Sequence, residues 1–147
     1  MTERELVLVV VILSLLMLLS CTRESKVLQV EFQDFFLDDT VSLSIMDCQV
    51  FSKWVLNSDP VMGVAKVVVE IPDDGGSLLL RSFRGDSSVA CVNSDLARSQ
   101  PIELIVTVNG KTTYYSVDPT KGAFVGFDKT QGDSLHLNQR SKPFEYD

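Results

Sequence analysis

Three cysteines, one histidine and a serine two residues before it are the side chains of this 147-residue chain best equipped for chemistry. Ser134 and His136 share a face if they lie on a strand, because side chains repeat every second residue there. A serine nucleophile also needs an acid to orient its imidazole, and no carboxylate is placed for that role. Cys21 closes an apolar run, whereas Cys48 and Cys91 lie within the body of the chain. With Cys21 set aside, those two form an even pair, and in an oxidising compartment pairing is expected. Closing their loop of about 44 residues would stabilise the fold by roughly 4 kcal/mol. Two buried free thiols are the alternative, since spacing alone gives no distance between Cα atoms.

The letters Gly132-Asp133-Ser134-Leu135 resemble the nucleophile motif of the GDSL esterases. That resemblance implies a motif near the start of a large α/β domain, with the histidine supplied by a later Asp-x-x-His segment. Here only 12 residues follow Leu135. A β-turn explains the four letters, and His136, between Leu135 and Leu137, reads as a solvent-facing histidine. No catalytic residue is therefore assigned, and the chain is expected not to be an enzyme and to need no cofactor.

Zinc asks for three or four ligands of His, Cys or carboxylate type, and one histidine with two paired cysteines does not supply them at zinc spacing. Calcium prefers six to eight oxygens, often on turns. The aspartates of Asp38-Asp39, Asp73-Asp74 and Asp128 with Asp133 offer oxygens, but none repeats the calcium-loop spacing. They read as solvated turn residues, and no metal ligand is assigned. Glu31, Glu70 and Glu103 sit between apolar neighbours and read as the solvent face of strands.

Aromatics carry the remaining functional signal. Trp54, Tyr114, Tyr115 and Tyr146 form a candidate ligand-contact set, suited to stacking on a sugar or a partner protein. Tyr114 and Tyr115 must point to opposite faces of their strand, so one of them is expected at the surface. The terminal Pro143-Phe144-Glu145-Tyr146-Asp147 is too apolar for a frayed tail and is expected to dock on a sheet.

Residues 6–19 are apolar except for Ser14, and the run ends at Ser20-Cys21 before the polar Thr22-Arg23-Glu24-Ser25-Lys26. As a helix, about 15 residues span roughly 22 Å, short of the ~30 Å hydrocarbon core. A cleaved signal peptide fits this length better than a permanent span. Leu18-Leu19-Ser20-Cys21 resembles the lipobox of bacterial lipoproteins, with a large aliphatic residue three before the cysteine and a small one just before it. The resemblance implies a diacylglyceryl group on the Cys21 thiol, cleavage before Cys21 and acylation of the new amine, palmitate being a typical chain. Two or more chains give stable anchoring where one gives only marginal binding. Thr22, where aspartate would imply inner-membrane retention, favours the outer membrane by the same resemblance. Glu3, Arg4 and Glu5 depart from the usual positive start, and an uncleaved signal anchor is the alternative.

The expected organisation is a signal peptide over residues 1–20, a lipidated cysteine and tether over 21–26, and one domain over 27–147. Without the first 20 residues the chain keeps 12 of its 13 lysines and arginines and 18 of its 20 acids, a net charge of about −6. Such a balance argues against nucleic acid as a partner.

Alternating runs carry the body: Leu28, Val30 and Phe32; Val41, Leu43 and Ile45; Val67, Val69 and Ile71; Ile102, Leu104, Val106 and Val108. Turn clusters separate them, and Asn109-Gly110 between two such runs is a strong hairpin signal. About eight short strands without a convincing helix predict an all-β fold. The expected form is a single antiparallel β-sandwich, immunoglobulin-like or transthyretin-like.

Function is then expected to be non-enzymatic binding in a bacterial cell envelope: a lipid-anchored accessory module facing the periplasm or exterior, with an envelope protein or glycan as partner. Two alternatives share these features. One is a carbohydrate- or calcium-dependent ligand-binding module; the other is an acidic inhibitor of a basic envelope-active enzyme such as a lysozyme.

Overall fold

The computed structural model describes residues 26–72, 76–91, 101–130 and 134–146. The expected signal peptide, Cys21, most of the tether, Asp73-Asp74 and Asp133 lie outside these residues.

Alternation of apolar and polar side chains builds the strands in order. β1 (Lys26–Phe32) turns Leu28, Val30 and Phe32 inward, and β2 (Asp39–Ile45) buries Val41, Leu43 and Ile45. Met46 takes the left-handed conformation (φ 52°) and reverses the chain into β3 (Cys48–Leu56). β4 (Val67–Pro72), β5 (Leu78–Ser82) and β6 (Ser87–Val89) form a meander. β7 (Ile102–Val108) and β8 (Lys111–Val117) make the hairpin expected at Asn109-Gly110, whose φ values are 50° and 84°. Positive φ at both positions is what a two-residue type I′ loop requires. A 3₁₀ turn over Pro119–Lys121 leads to β9 (Phe124–Lys129) and β10 (Leu135–Arg140).

The chain is thus all-β with two sheets, one of six strands in the order β10-β9-β1-β4-β5-β6 and one of four in the order β3-β2-β7-β8. Two corrections to the expected fold follow. Ten strands, not about eight, are found among the described residues, because the short runs near residues 78 and 89 both pair. The larger sheet is mixed and not purely antiparallel, since β1 pairs in parallel with β9. A parallel pair needs a long crossover, and nearly the whole domain intervenes between these two strands.

One buried cluster draws on both sheets. Phe32 of β1 meets Phe51 of β3 with ring centroids 5.8 Å apart, and Tyr115 of β8 meets Phe127 of β9 at 5.1 Å. Further links tie the sheets at their edges. Cys48 at the start of β3 is disulfide-bonded to Cys91 just after β6, with Cα atoms 5.5 Å apart. At the other edge the Tyr115 hydroxyl donates to the Leu135 carbonyl of β10 at 2.9 Å.

The outward glutamates do not behave alike. Glu103 is exposed, but Glu31 and Glu70 are only 7% and 5% exposed, which corrects the expectation that all three face solvent. Alternation correctly put them on the outer face of the six-stranded sheet, and that face is covered by other polar groups. Glu70 pairs with Arg81 of β5 at 3.3 Å, while Glu31 accepts from Gln29 and from the Tyr146 hydroxyl of the terminal segment. The terminal segment therefore docks on the sheet, as its apolar composition predicts.

Candidate functional site

Strand direction separates the domain into two ends. β1 begins at Lys26, opposite Pro72, and runs about 20 Å, at 3.3 Å per residue, to Phe32. The disulfide lies toward the Lys26 end, and the loops after β1 and β3 lie at the far one.

A buried ion pair underlies the far end. Asp39, the first residue of β2, is 2% exposed, and both its carboxylate oxygens accept from Lys129 Nζ at 2.8 Å. Lys129, the last residue of β9, is itself buried, so the pair spans the two sheets. The backbone N–H of Leu37 and the side-chain amide of Asn109 donate to the same carboxylate. Burial by itself would raise the Asp39 pKa, but the bonds from Lys129, Leu37 and Asn109 together hold it below the ordinary carboxylate value.

On this base two loops, residues 33–38 and 57–66, are laced together. The Ser58 N–H donates to the Phe36 carbonyl at 2.7 Å, the Phe36 N–H to Ser58 Oγ at 3.0 Å, and the Ala65 N–H to the Phe32 carbonyl at 2.9 Å. Asn57 and Asp38 exchange two further bonds. Asp59 organises the second loop by accepting from the N–H groups of Val61 and Met62, which also lowers its pKa. Gly63, at φ 64°, lies so close to Asp34 that a Cβ there would collide with the carboxylate.

This ordered framework holds apolar side chains in water. Val61 is 83% exposed and Leu37 72%, with Phe35 and Met62 beside them in chain and also exposed. Phe35 and Asp38 both take positive φ, 66° and 52°, which aspartate tolerates and which is costly for a ring-bearing residue such as Phe35. Exposed apolar side chains gathered on two hydrogen-bonded loops make this end a candidate interaction site. The sequence carries the signal as a breach of turn composition: Phe35-Phe36-Leu37 and Val61-Met62 occupy loops, where polar residues belong. Only Phe36 of the first triplet enters the core.

Beside the loops lies an open groove of about 420 Å³ on the outer face of the six-stranded sheet. Its lining includes Asp34, Val61 and Met62 of the loops, Asp128 of β9, Asn138 of β10, and Phe144 to Tyr146. Burial, and after it the charge of Asp34, raise the Asp128 pKa despite a hydrogen bond from Asn138. Tyr146 accepts from Gln33 Nε2 at 3.0 Å and donates to Glu31, and burial with that acceptor keeps its hydroxyl protonated far above the usual range.

The four aromatics of the candidate ligand-contact set do not share one surface. Trp54 lies on β3 and Tyr114 and Tyr115 on β8, opposite edges of the four-stranded sheet. Trp54 stacks on Phe51 at 4.9 Å and carries the Arg84 guanidinium 4.8 Å above its ring. Tyr115 packs inward on Phe127 while Tyr114 faces solvent, the opposite-face arrangement expected of neighbours on a strand. Tyr146 alone borders the groove. His136 is exposed and pairs in register with Asp128, while Leu135 and Leu137 pack against the core. Among the described residues no three His, Cys, Asp or Glu side chains converge on a common point, and the Asp39 carboxylate is committed to Lys129.

The protein class these features define is a disulfide-bonded, two-sheet all-β domain with an apolar, acid-bordered loop end. The chain matches no protein-family model, and no characterised protein or solved structure matches it.

Proposed function

We propose that this chain is a lipid-anchored binding module of a bacterial cell envelope, held by acyl chains on Cys21 and engaging its partner through the loop end farthest from that anchor. The observation that carries the proposal is the Cys48–Cys91 disulfide, which belongs in an oxidising compartment, the setting that a lipid anchor on Cys21 also requires. Exposed Leu37 and Val61 at the opposite end of β1 from the tether support binding away from the membrane. Catalysis, metal and cofactor have no part in this reading, and an outer-membrane address facing the periplasm or exterior follows from Thr22.

In the same reading the two sheets form a β-sandwich of immunoglobulin-like or transthyretin-like kind. Support comes from the shared core and from the disulfide and the Tyr115–Leu135 bond at opposite edges. The order β3-β2-β7-β8 differs from the immunoglobulin constant arrangement, so the likeness is one of layering.

Replacing Cys21 with serine should abolish palmitate incorporation and move the chain from the membrane to the soluble fraction or leave it as unprocessed precursor. Equal labelling of the variant and the parent would remove the anchor from the proposal.

A further inference from the structure

The loop end can be assigned a partner chemistry, and this inference rests on the binding role proposed above. Two kinds of surface adjoin there. Leu37, Val61 and Met62 are apolar, exposed and held on loops that are hydrogen-bonded to each other. Immediately beside Val61 and Met62, the groove carries the carboxylates of Asp34, Asp128 and Glu145. Arg140, the cation among the lining residues, lies with its guanidinium 4.9 Å over the Phe144 ring.

The geometry points to a cationic, apolar segment of another protein as the occupant: aliphatic side chains pack on Leu37, Val61 and Met62 while a lysine or arginine enters the groove between Asp34 and Asp128. Charge complementarity selects this occupant. An anionic segment would face three carboxylates, and a neutral apolar one would add nothing to Arg140, whose charge only partly offsets the repulsion between Asp34 and Asp128. A cation relieves it, and the net charge of about −6 on the body of the chain speeds the encounter with a basic partner. A second copy of this chain, carrying the same negative charge, is disfavoured for the same reason. Apolar contacts supply affinity at the centre of such an interface, and the charges at its rim set partner choice and on-rate.

The test holds the full chain in phosphatidylcholine nanodiscs, with empty discs as the blank, and titrates three labelled peptides of equal length. One alternates lysine-rich and leucine-rich turns, the second replaces lysine by glutamate, and the third replaces leucine by serine. The lysine–leucine peptide should bind about tenfold or more tightly than either other peptide, and weaken as salt rises. Val61→Ser and Leu37→Ser, at exposed positions that leave the fold alone, should each cost about fivefold, as should Asp34→Asn. Equal binding of all three peptides, or wild-type affinity in all three variants, would overturn the assignment. So would pairing of peptide-free discs through this end, lost on Val61→Ser. Retention in the discs is measured separately on Cys21→Ser, so a failed anchor and a failed partner assignment give different results.

Discussion

Replacing Lys129 with methionine should lower the stability of the domain by about 3–5 kcal/mol. The cause is the carboxylate left behind: Asp39 is 2% exposed, and Lys129 Nζ contacts both its oxygens. Leu37 and Asn109 would still donate to it, but neither carries a charge. At a urea dependence of about 1–2 kcal/mol per molar, the unfolding midpoint should fall by roughly 1.5 M or more. Adding Asp39→Leu should restore much of the loss, because removing both charges of a buried pair costs far less than removing one. Recovery should be incomplete, since the Leu37 N–H and the Asn109 amide then lose their acceptor. A single variant within about 1 kcal/mol of wild type would mean that the pair does not link the sheets as described.

The pH dependence has a definite sign. Asp39 titrates lower in the folded chain than in the unfolded one, so its contribution is present above the unfolded value of about 3.9 and is lost as pH falls through the lower folded value. Acid unfolding should therefore steepen below about pH 4 in the wild type. In Lys129→Met the stranded carboxylate is best accommodated neutral, and that variant should recover part of its deficit as pH falls toward 4. Asp128, whose pKa is raised, acts in the opposite sense in both proteins: its burden on the fold is relieved as pH falls through its raised folded value.

Loss of the disulfide is the second large effect. The bond closes a loop across 43 positions of sequence, and chain entropy assigns it about 4 kcal/mol. Cys48→Ala with Cys91→Ala should lower the thermal midpoint by roughly 10–20 °C, and reductant should lower that of the wild type by nearly as much. Both cysteines pack against the core, so a small packing loss from the sulfur atoms adds to the entropic one. The two losses should add when combined with Lys129→Met, because the disulfide and the ion pair lie at opposite ends of the domain. An unchanged midpoint in the double alanine variant would show that this covalent link between the sheets does not contribute to their association.

Much of this architecture is legible in residue order. Leu28, Val30 and Phe32, like Val41, Leu43 and Ile45, announce their strands because one apolar face with period two has little else to form. Asn109-Gly110 announces its hairpin because few residue pairs tolerate positive φ twice. Strand pairing is not legible in the same way. The parallel contact of β1 with β9 arises from how the sheets stack, and no local pattern in either strand encodes it.

Burial of Glu31 and Glu70 escapes alternation for a related reason. Alternation assigns a face, but whether that face is dry depends on Tyr146 and Arg81, distant or on another strand. Lys129 likewise points inward from an alternating strand because a carboxylate waits for it on the other sheet, a partner 90 residues away. The loop surface was half-legible. Apolar residues among turn formers at 35–37 and 61–62 break the composition rule, but only the hydrogen bonds between the loops bring the two groups to one end. The candidate aromatics lie on separate surfaces, and chain position does not reveal that β3 and β8 are opposite edges.

The membrane address proposed for this domain depends on Cys21. The most direct measurement is the intact mass and N-terminal peptide of the full chain recovered from bacterial membranes. The account predicts a chain beginning at Cys21, with a diacylglyceryl group on the thiol and an acyl chain on the amine. A chain that retains Met1 through Ser20, or begins at Cys21 with an unmodified thiol, would contradict it.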